Sequence, residues 1–323
     1  MNINDSLNKN TNAFDEIEIN LPRSVRFWLL LLFDIPSIIC SFFLLFHLFN
    51  NKALRSQLAY HTMIILLIIG LIIELVDIPF YLSFLHLGVV YPSTPSLCLI
   101  WLFMDIGLMT GCIIIMAWGS IERYLLIFHR SLFLNRNKRL IFHYLPFVIL
   151  FVYILTFYII VIIFPPCINT YSYDLPVCND FVCYMNDPIL GLWDSIFNNI
   201  LPIAIISIFS LILVIRVYYQ KRRLNQPNVW RKQRKMTVQL LCACMLYLIP
   251  NIPLNIFVIA RLCGLPADIG IQLQLYIDFL GYFVILLYPF ICFGSLSELY
   301  KNMDWRRLFL IRKRQRTATV RPQ

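Results

Sequence analysis

Residues 97–128 read LCLIWLFMDIGLMTGCIIIMAWGSIERYLLIF, and Asp105, Glu122 and Arg123 are the only charged side chains in the run. About 20 mostly apolar residues suffice to cross a bilayer as a helix. Cys98 opens this stretch and Glu122-Arg123-Tyr124 closes it. Cys98 and Arg123 are 25 residues apart, or about 37 Å at 1.5 Å per residue. The cysteine therefore belongs at one membrane surface and the charged triplet at the other. Asp105 precedes Arg123 by 18 residues, about five turns at 3.6 residues per turn, so the two share a helix face.

The rest of the 323-residue chain has the same character. Hydrophobic residues make up 60 % of it and charged residues 14 %, with a mean hydropathy of +0.74. A soluble domain carries about 25 % charged residues. This composition excludes a soluble enzyme, a disordered chain and a nucleic-acid-binding domain, despite the net charge of +10. Seven segments can span a membrane: roughly Phe27–Phe49, Leu58–His86, Leu97–Phe128, Leu140–Phe164, Ile189–Tyr218, Met236–Leu262 and Ile269–Phe293. The expected organisation is an N-terminal tail over 1–26, a seven-helix bundle over 27–293, and an amphipathic helix with a basic tail over 294–323. The polar, mostly acidic N-terminus does not have the layout of a cleaved signal peptide.

Basic residues set the expected topology. Loops 50–57, 129–139 and 219–235 and the C-terminal tail, counted with the adjoining helix ends, hold 23 of the 27 lysines and arginines. The positive-inside rule puts that set in the cytoplasm and the N-terminus outside. Loop 165–188 agrees, having Asp174, Asp180 and Asp187 and no basic residue. The one glycosylation sequon, Asn4-Asp5-Ser6, falls on the outer side.

At this point the chain resembles the rhodopsin-like family of G-protein-coupled receptors, over about residues 25–310. Cys98, the 25-residue interval, Glu122-Arg123-Tyr124 and the following Leu125–Arg130 carry the resemblance, with Pro79, Pro202, Pro250 and Pro289 in the second, fifth, sixth and seventh helices. The resemblance implies a plasma-membrane receptor that activates a heterotrimeric G-protein, with Glu122, Arg123, Tyr124, Pro250, Tyr288 and Pro289 taking part in coupling. It implies no cofactor and no catalysis. Several positions depart from the family pattern. Its sodium-binding aspartate falls at Gly70, its asparagine-proline motif reads Tyr288-Pro289, and its sixth-helix tryptophan is Leu248. No sodium pocket is expected from Gly70 and Tyr288.

Intramembrane acids are costly and are candidates for function. Glu74, Asp77, Asp105, Asp194 and Asp278 map to the outer halves of their spans and Asp34 to the first. By resemblance, Asp105 is an amine-binding carboxylate and Tyr282 the tyrosine that bonds it. Asp77, Asp194 and Asp278 are further ligand candidates. The fifth helix has one serine at its outer end, Ser195, and the positions after Pro250 are Asn251 and Ile252. A basic peptide or polyamine fits these acids better than a catecholamine does. Tyr282 also occupies the place of the retinal lysine of opsins, which argues against light sensing.

Cys98, Cys167, Cys178 and Cys183 face the oxidising side and allow three pairings. The family bridges its third helix to the second outer loop. Cys98–Cys183 with Cys167–Cys178 is the favoured pairing, and Cys98–Cys178 is its rival. After the seventh span, Leu296–Ile311 mixes basic and apolar residues like a helix lying on the inner leaflet and contacting membrane lipid. Two other classes compete with a receptor. A cation transporter or channel would use the intramembrane carboxylates, and a membrane enzyme would need metal-type spacing, which the scattered His47, His61, His86, His129 and His143 lack.

In many receptors of the family an acid at the inner end of the sixth helix clamps the third-helix arginine. Here Trp230–Lys235 contains none. The resemblance therefore predicts elevated basal signalling. A second-messenger assay without ligand, at confirmed surface expression, should read well above background, and background-level activity contradicts it.

Overall fold

The computed structural model describes residues 19–52, 57–129, 133, 135–178, 182–223, 227–266 and 269–302, with residues 59, 217–237 and 295–302 described in backbone only. Among these residues the regular structure is entirely helical. Seven helices are long and apolar enough to cross a membrane. They are α1 Arg23–Asn50, α2 His61–Leu87, α3 Pro95–Phe128, α4 Arg136–Ile163 and α5 Pro188–Arg216 (its helix runs on to Arg223), then α6 Pro227–Leu262 and α7 Ile271–Asn302.

The pattern on α1 shows which environment surrounds the bundle. Its buried face carries Arg26, Leu30, Asp34, Ser37, Ser41, Leu44 and Leu48. Its exposed face carries Trp28, Leu32, Ile35, Ile39, Phe42 and Phe46. A helix of a water-soluble domain shows the reverse arrangement. Apolar residues outside and polar residues inside are what hydrocarbon requires, because an unsatisfied polar group there costs several kcal/mol. α4 shows the same outward face, with Val148, Ile149, Phe151 and Val152 exposed. The chain is a multi-pass membrane protein.

The helices close into a ring. α1 packs on α2 and α7, α7 on α6, α6 on α5, and α3 contacts α2, α4, α5 and α6. Small residues bring α3 close to its neighbours, as is usual where lipid supplies no hydrophobic drive. A Cβ on Gly107 or Gly111 would come within 3.3 Å of Tyr158 or Ile154 on α4. A Cβ on Gly119 would come within 2.6 Å of Thr62 on α2.

Local signals set the helix starts. Thr94 caps α3, with Pro95 in the first turn. Asp187 Oδ1 accepts the backbone N–H groups of Ile189 and Leu190, both at 2.9 Å, to open α5 behind Pro188. Gly88, at φ 79°, ends α2 in the left-handed conformation, where a residue lacking Cβ has no penalty. Widened π turns interrupt α3 at Phe103–Leu108, α4 at Leu140–Tyr144 and Ile159–Ile163, and α5 at Asp194–Ile200.

Two sequence expectations meet a different structure. α1 begins at Arg23, a few residues before the roughly placed span, and Arg26 is buried, its Nε donating to the Leu21 carbonyl at 3.1 Å. α7 continues unbroken to Asn302, and the rest of the expected eighth helix lies outside the described residues. The disulfides are Cys98–Cys178 and Cys167–Cys183, so the favoured Cys98–Cys183 gives way to its rival. The loop backbone explains the choice. Ser172 N–H bonds the Cys178 carbonyl at 2.8 Å, folding Pro176–Cys178 back so that Cys178 is buried at the start of α3. Asn169 Oδ1 accepts the Cys183 N–H at 3.2 Å and holds that residue beside Cys167.

Gly119→Ala should lower the thermal midpoint of the protein in detergent, because overpacking costs about 1–3 kcal/mol. Gly281→Ala is the control, since nothing lies within 4 Å of a Cβ there. It should leave the midpoint unchanged or slightly raised.

Candidate ligand cavity

Between α3, α5, α6 and α7 lies a cavity of about 190 Å³. Its polar lining is Asp105 and Thr110 from α3, Asn199 from α5, Tyr247 and Asn251 from α6, and Asp278 and Tyr282 from α7. Met109, Ile113, Leu254 and Ile277 supply apolar wall, and no lysine, arginine or histidine among the described residues lines it. Tyr282 Oη donates to Asp105 Oδ1 at 2.7 Å. Tyr282 is in turn stacked on Tyr81 of α2, with ring centroids 5.1 Å apart. Asp105 sits in the first π turn, a local widening that often marks functional positions. Arg261, at the far end of α6, acts electrostatically on Asp278 from outside the lining.

The structure thus brings Asp105, Tyr282, Asp278 and Pro250 to one cavity, while Asp77 and Asp194 do not line it, Asp77 lying close enough to Asp105 to act on it electrostatically. Asp77 is fully buried, and neither of its carboxylate oxygens has a hydrogen-bond partner among the described residues. Asp194 is the centre of a polar network joining α4, α5 and the disulfide-bonded loop. Its Oδ1 accepts from Tyr158 Oη and Asn198 Nδ2, both at 2.8 Å, and its Oδ2 from Tyr184 Oη at 3.3 Å. Tyr153 Oη donates to Asn198 Oδ1 at 2.7 Å. Burial, together with the Asp194 carboxylate, pushes the Tyr184 phenol well above its ordinary range. These three donors make Asp194 a link between α4, α5 and the loop.

At the opposite, basic end, Arg123 lines a second cavity of about 20 Å³, with Thr62, Gln239, Tyr288 and Cys292. Arg123 Nε has no hydrogen-bond partner among the described residues. Glu122 is fully buried and turned to α2 and α4, accepting from Thr62 Oγ1 at 2.7 Å and bonded to His143 Nδ1. Tyr124 packs edge-on against Phe209 of α5. Pro289 follows Tyr288 inside α7.

Sequence reading missed the element that connects the two ends. Tyr247 on α6 lines the upper cavity and meets Tyr288 ring to ring, centroids 6.3 Å apart. Tyr288 in turn lines the Arg123 cavity. Tyr247 stands three residues before Pro250, but an aromatic in an apolar span gives no sign that it faces inward. A third buried group joins α1, α2 and α7: Ser37 Oγ lies 2.5 Å from Glu74 Oε1 and 2.9 Å from the Leu286 carbonyl oxygen.

Fold and site define a seven-helix membrane protein with a carboxylate-bearing internal cavity. Comparison with protein-family models finds no match, and comparison with curated proteins finds none either.

Asp194→Ala should destabilise the protein by about 3 kcal/mol, because three buried donors lose their acceptor. Asp194→Asn keeps an acceptor oxygen and should cost less. Thermal midpoints of the two variants in detergent check the order.

Proposed function

We propose that this chain is a rhodopsin-like receptor of the plasma membrane, with its N-terminus and disulfides outside. In this reading it converts binding of an extracellular cationic ligand into activation of a heterotrimeric G-protein. The observation that carries the reading is the Asp105–Tyr282 pair in a cavity with no cation among its described lining residues, on the same helix as Glu122-Arg123-Tyr124.

The chemistry follows from the cavity. An ionised Asp105 keeps acceptor capacity beyond the Tyr282 hydroxyl. A ligand ammonium meeting it in a low-dielectric site is attracted far more strongly than in water. Asp278 adds negative potential to the same space, and Asn199 and Asn251 offer neutral hydrogen bonds from the facing helices. At about 190 Å³ the cavity is well above the space that a single water needs. That space takes a small amine, or one basic side chain of a peptide whose remainder stays outside. A ligand pressing on Tyr247 displaces the ring that contacts Tyr288 and, through it, the wall of the Arg123 cavity. The contact chain gives binding a physical route to the basic end, where the resemblance puts the G-protein.

Cation transport is the second reading. What favours it is the set of buried acids Asp34, Glu74 and Asp77, each with an oxygen that lacks a hydrogen bond among the described residues.

The test is guanine-nucleotide exchange on a panel of G-proteins in membranes containing the chain, challenged with pooled amines and basic peptides. Exchange should vanish in Arg123→Ala. In Asp105→Asn the response should shift to at least about 30-fold higher ligand concentration, as removal of one partner of a buried charge pair costs about 2–5 kcal/mol. Cation flux that persists in Arg123→Ala, with no exchange on any G-protein, supports transport instead.

A further inference from the structure

The cavity between α3, α5, α6 and α7 offers an occupant few hydrogen-bond donors and many acceptors. Asn199 Nδ2 donates to the Asp194 carbonyl at 3.2 Å, and Asn251 Nδ2 donates to the Tyr247 carbonyl at 2.8 Å. A backbone carbonyl only accepts, so these partners fix which end of each amide is nitrogen. The nitrogen is held against the helix backbone. Oδ1 of both residues has no hydrogen bond among the described residues.

The hydroxyls of the lining are committed in the same way. Tyr282 Oη donates to Asp105 Oδ1 at 2.7 Å. Tyr247 turns its hydroxyl to Cys112 of α3, and Thr110 turns its own to Tyr158 of α4. Pro250 has no backbone N–H. What remains for an occupant is chiefly oxygen acceptors. The carboxylates of Asp105 and Asp278 come from α3 and α7, and the amide oxygens of Asn199 and Asn251 from α5 and α6.

Acceptors on four helices reach an occupant from more than one side. An ammonium concentrates three N–H groups on one atom, whereas a guanidinium spreads five around a plane and has no acceptor of its own. A guanidinium can meet a carboxylate with two parallel bonds and still present N–H groups along its other edge. Asp105 has capacity for that fork, because an ionised carboxylate has about four lone-pair sites and Tyr282 takes one. The rings of Tyr247 and Tyr282 also line the space, and a guanidinium stacks on aromatic faces.

We propose that the cavity selects a guanidinium, with Asp105 receiving its fork and the amide oxygens of Asn199 and Asn251 receiving N–H groups from its other edge. This inference rests on the reading that the cavity takes a cationic ligand, and it names the cation. The group belongs either to a small free guanidine or to an arginine side chain of a peptide.

The test measures direct binding to the full chain in lipid nanodiscs, from the rise of the thermal midpoint with ligand concentration, so no G-protein is needed. The probes are two matched pairs. Butylguanidine against butylamine represents the free form, and a capped tripeptide with central arginine against its lysine counterpart represents the peptide form. In at least one pair the guanidinium member should bind about tenfold tighter, the size expected of one further hydrogen bond to a charged group. The pair with the tighter guanidinium member identifies the source. In Asn199→Leu or Asn251→Leu that preference should fall to near parity, and either variant suffices if the other fails to fold. Asp105→Asn should weaken both members of the pair. Equal or tighter binding of both ammonium members overturns the proposal and leaves the cationic-ligand reading in place. A guanidinium preference that persists in both asparagine variants also overturns it. Binding of none of the four probes overturns the cationic-ligand reading and the proposal with it.

Discussion

Hydrocarbon offers a polar side chain no partner, so polar groups must turn inward and find one another. Most of the architecture follows from that. The polar face of α1 brings Asp34, Ser37 and Ser41 inside, and Ser37 meets Glu74 and the α7 backbone. The acids of α3 and α5 are similarly committed, Asp105 to Tyr282 and Asp194 to two tyrosines and an asparagine. Glu74, Asp105 and Asp194 each gain a partner from a different helix or from a loop, so these polar residues specify which elements are neighbours. The apolar surfaces do not, since lipid and leucine are nearly equivalent partners.

α3 is where these demands converge. It contacts α2, α4, α5 and α6, and glycines at 107, 111 and 119 allow the close approaches on two sides. One face carries Asp105 toward the cavity between α3, α5, α6 and α7, and Arg123 toward the small basic-end cavity. Tyr247 and Tyr288 fill the space between the cavities. The two ends are therefore mechanically connected through packed rings, and packed interiors transmit displacement because they compress little. Glu122 plays a different part from Arg123 beside it. It binds sideways to α2 and α4 and leaves the arginine to the cavity.

Several features are legible in the amino-acid sequence alone. The seven spans are visible as apolar runs, and helical periodicity puts Asp105 and Arg123 on one face. The Tyr282 contact follows from the resemblance, and the hydrogen bond is present. Other features are hidden for specific reasons. Asp194 reads as an intramembrane acid like the rest, but its three partners come from residues 158, 184 and 198, and only folding of the loop brings Tyr184 to it. The cysteine pairing depends on where the loop doubles back, a matter of Ser172 and Asn169 hydrogen bonds that spacing does not encode. His61 and His143 are 82 residues apart. Spacing within one helix reveals a metal site but not a pair whose members sit on two helices, so the histidines read as scattered.

The sequence by itself determined that this is a membrane protein of seven helices with carboxylates inside, because hydropathy and helical period are properties of consecutive residues. Which carboxylate faces a cavity, which is consumed by tyrosines and which is tied to a histidine pair was decided only by the tertiary structure. Those assignments depend on groups from different helices arriving within about 3 Å of one another, the range in which a hydrogen bond forms. The spacing of residues along a single helix carries no information about that distance.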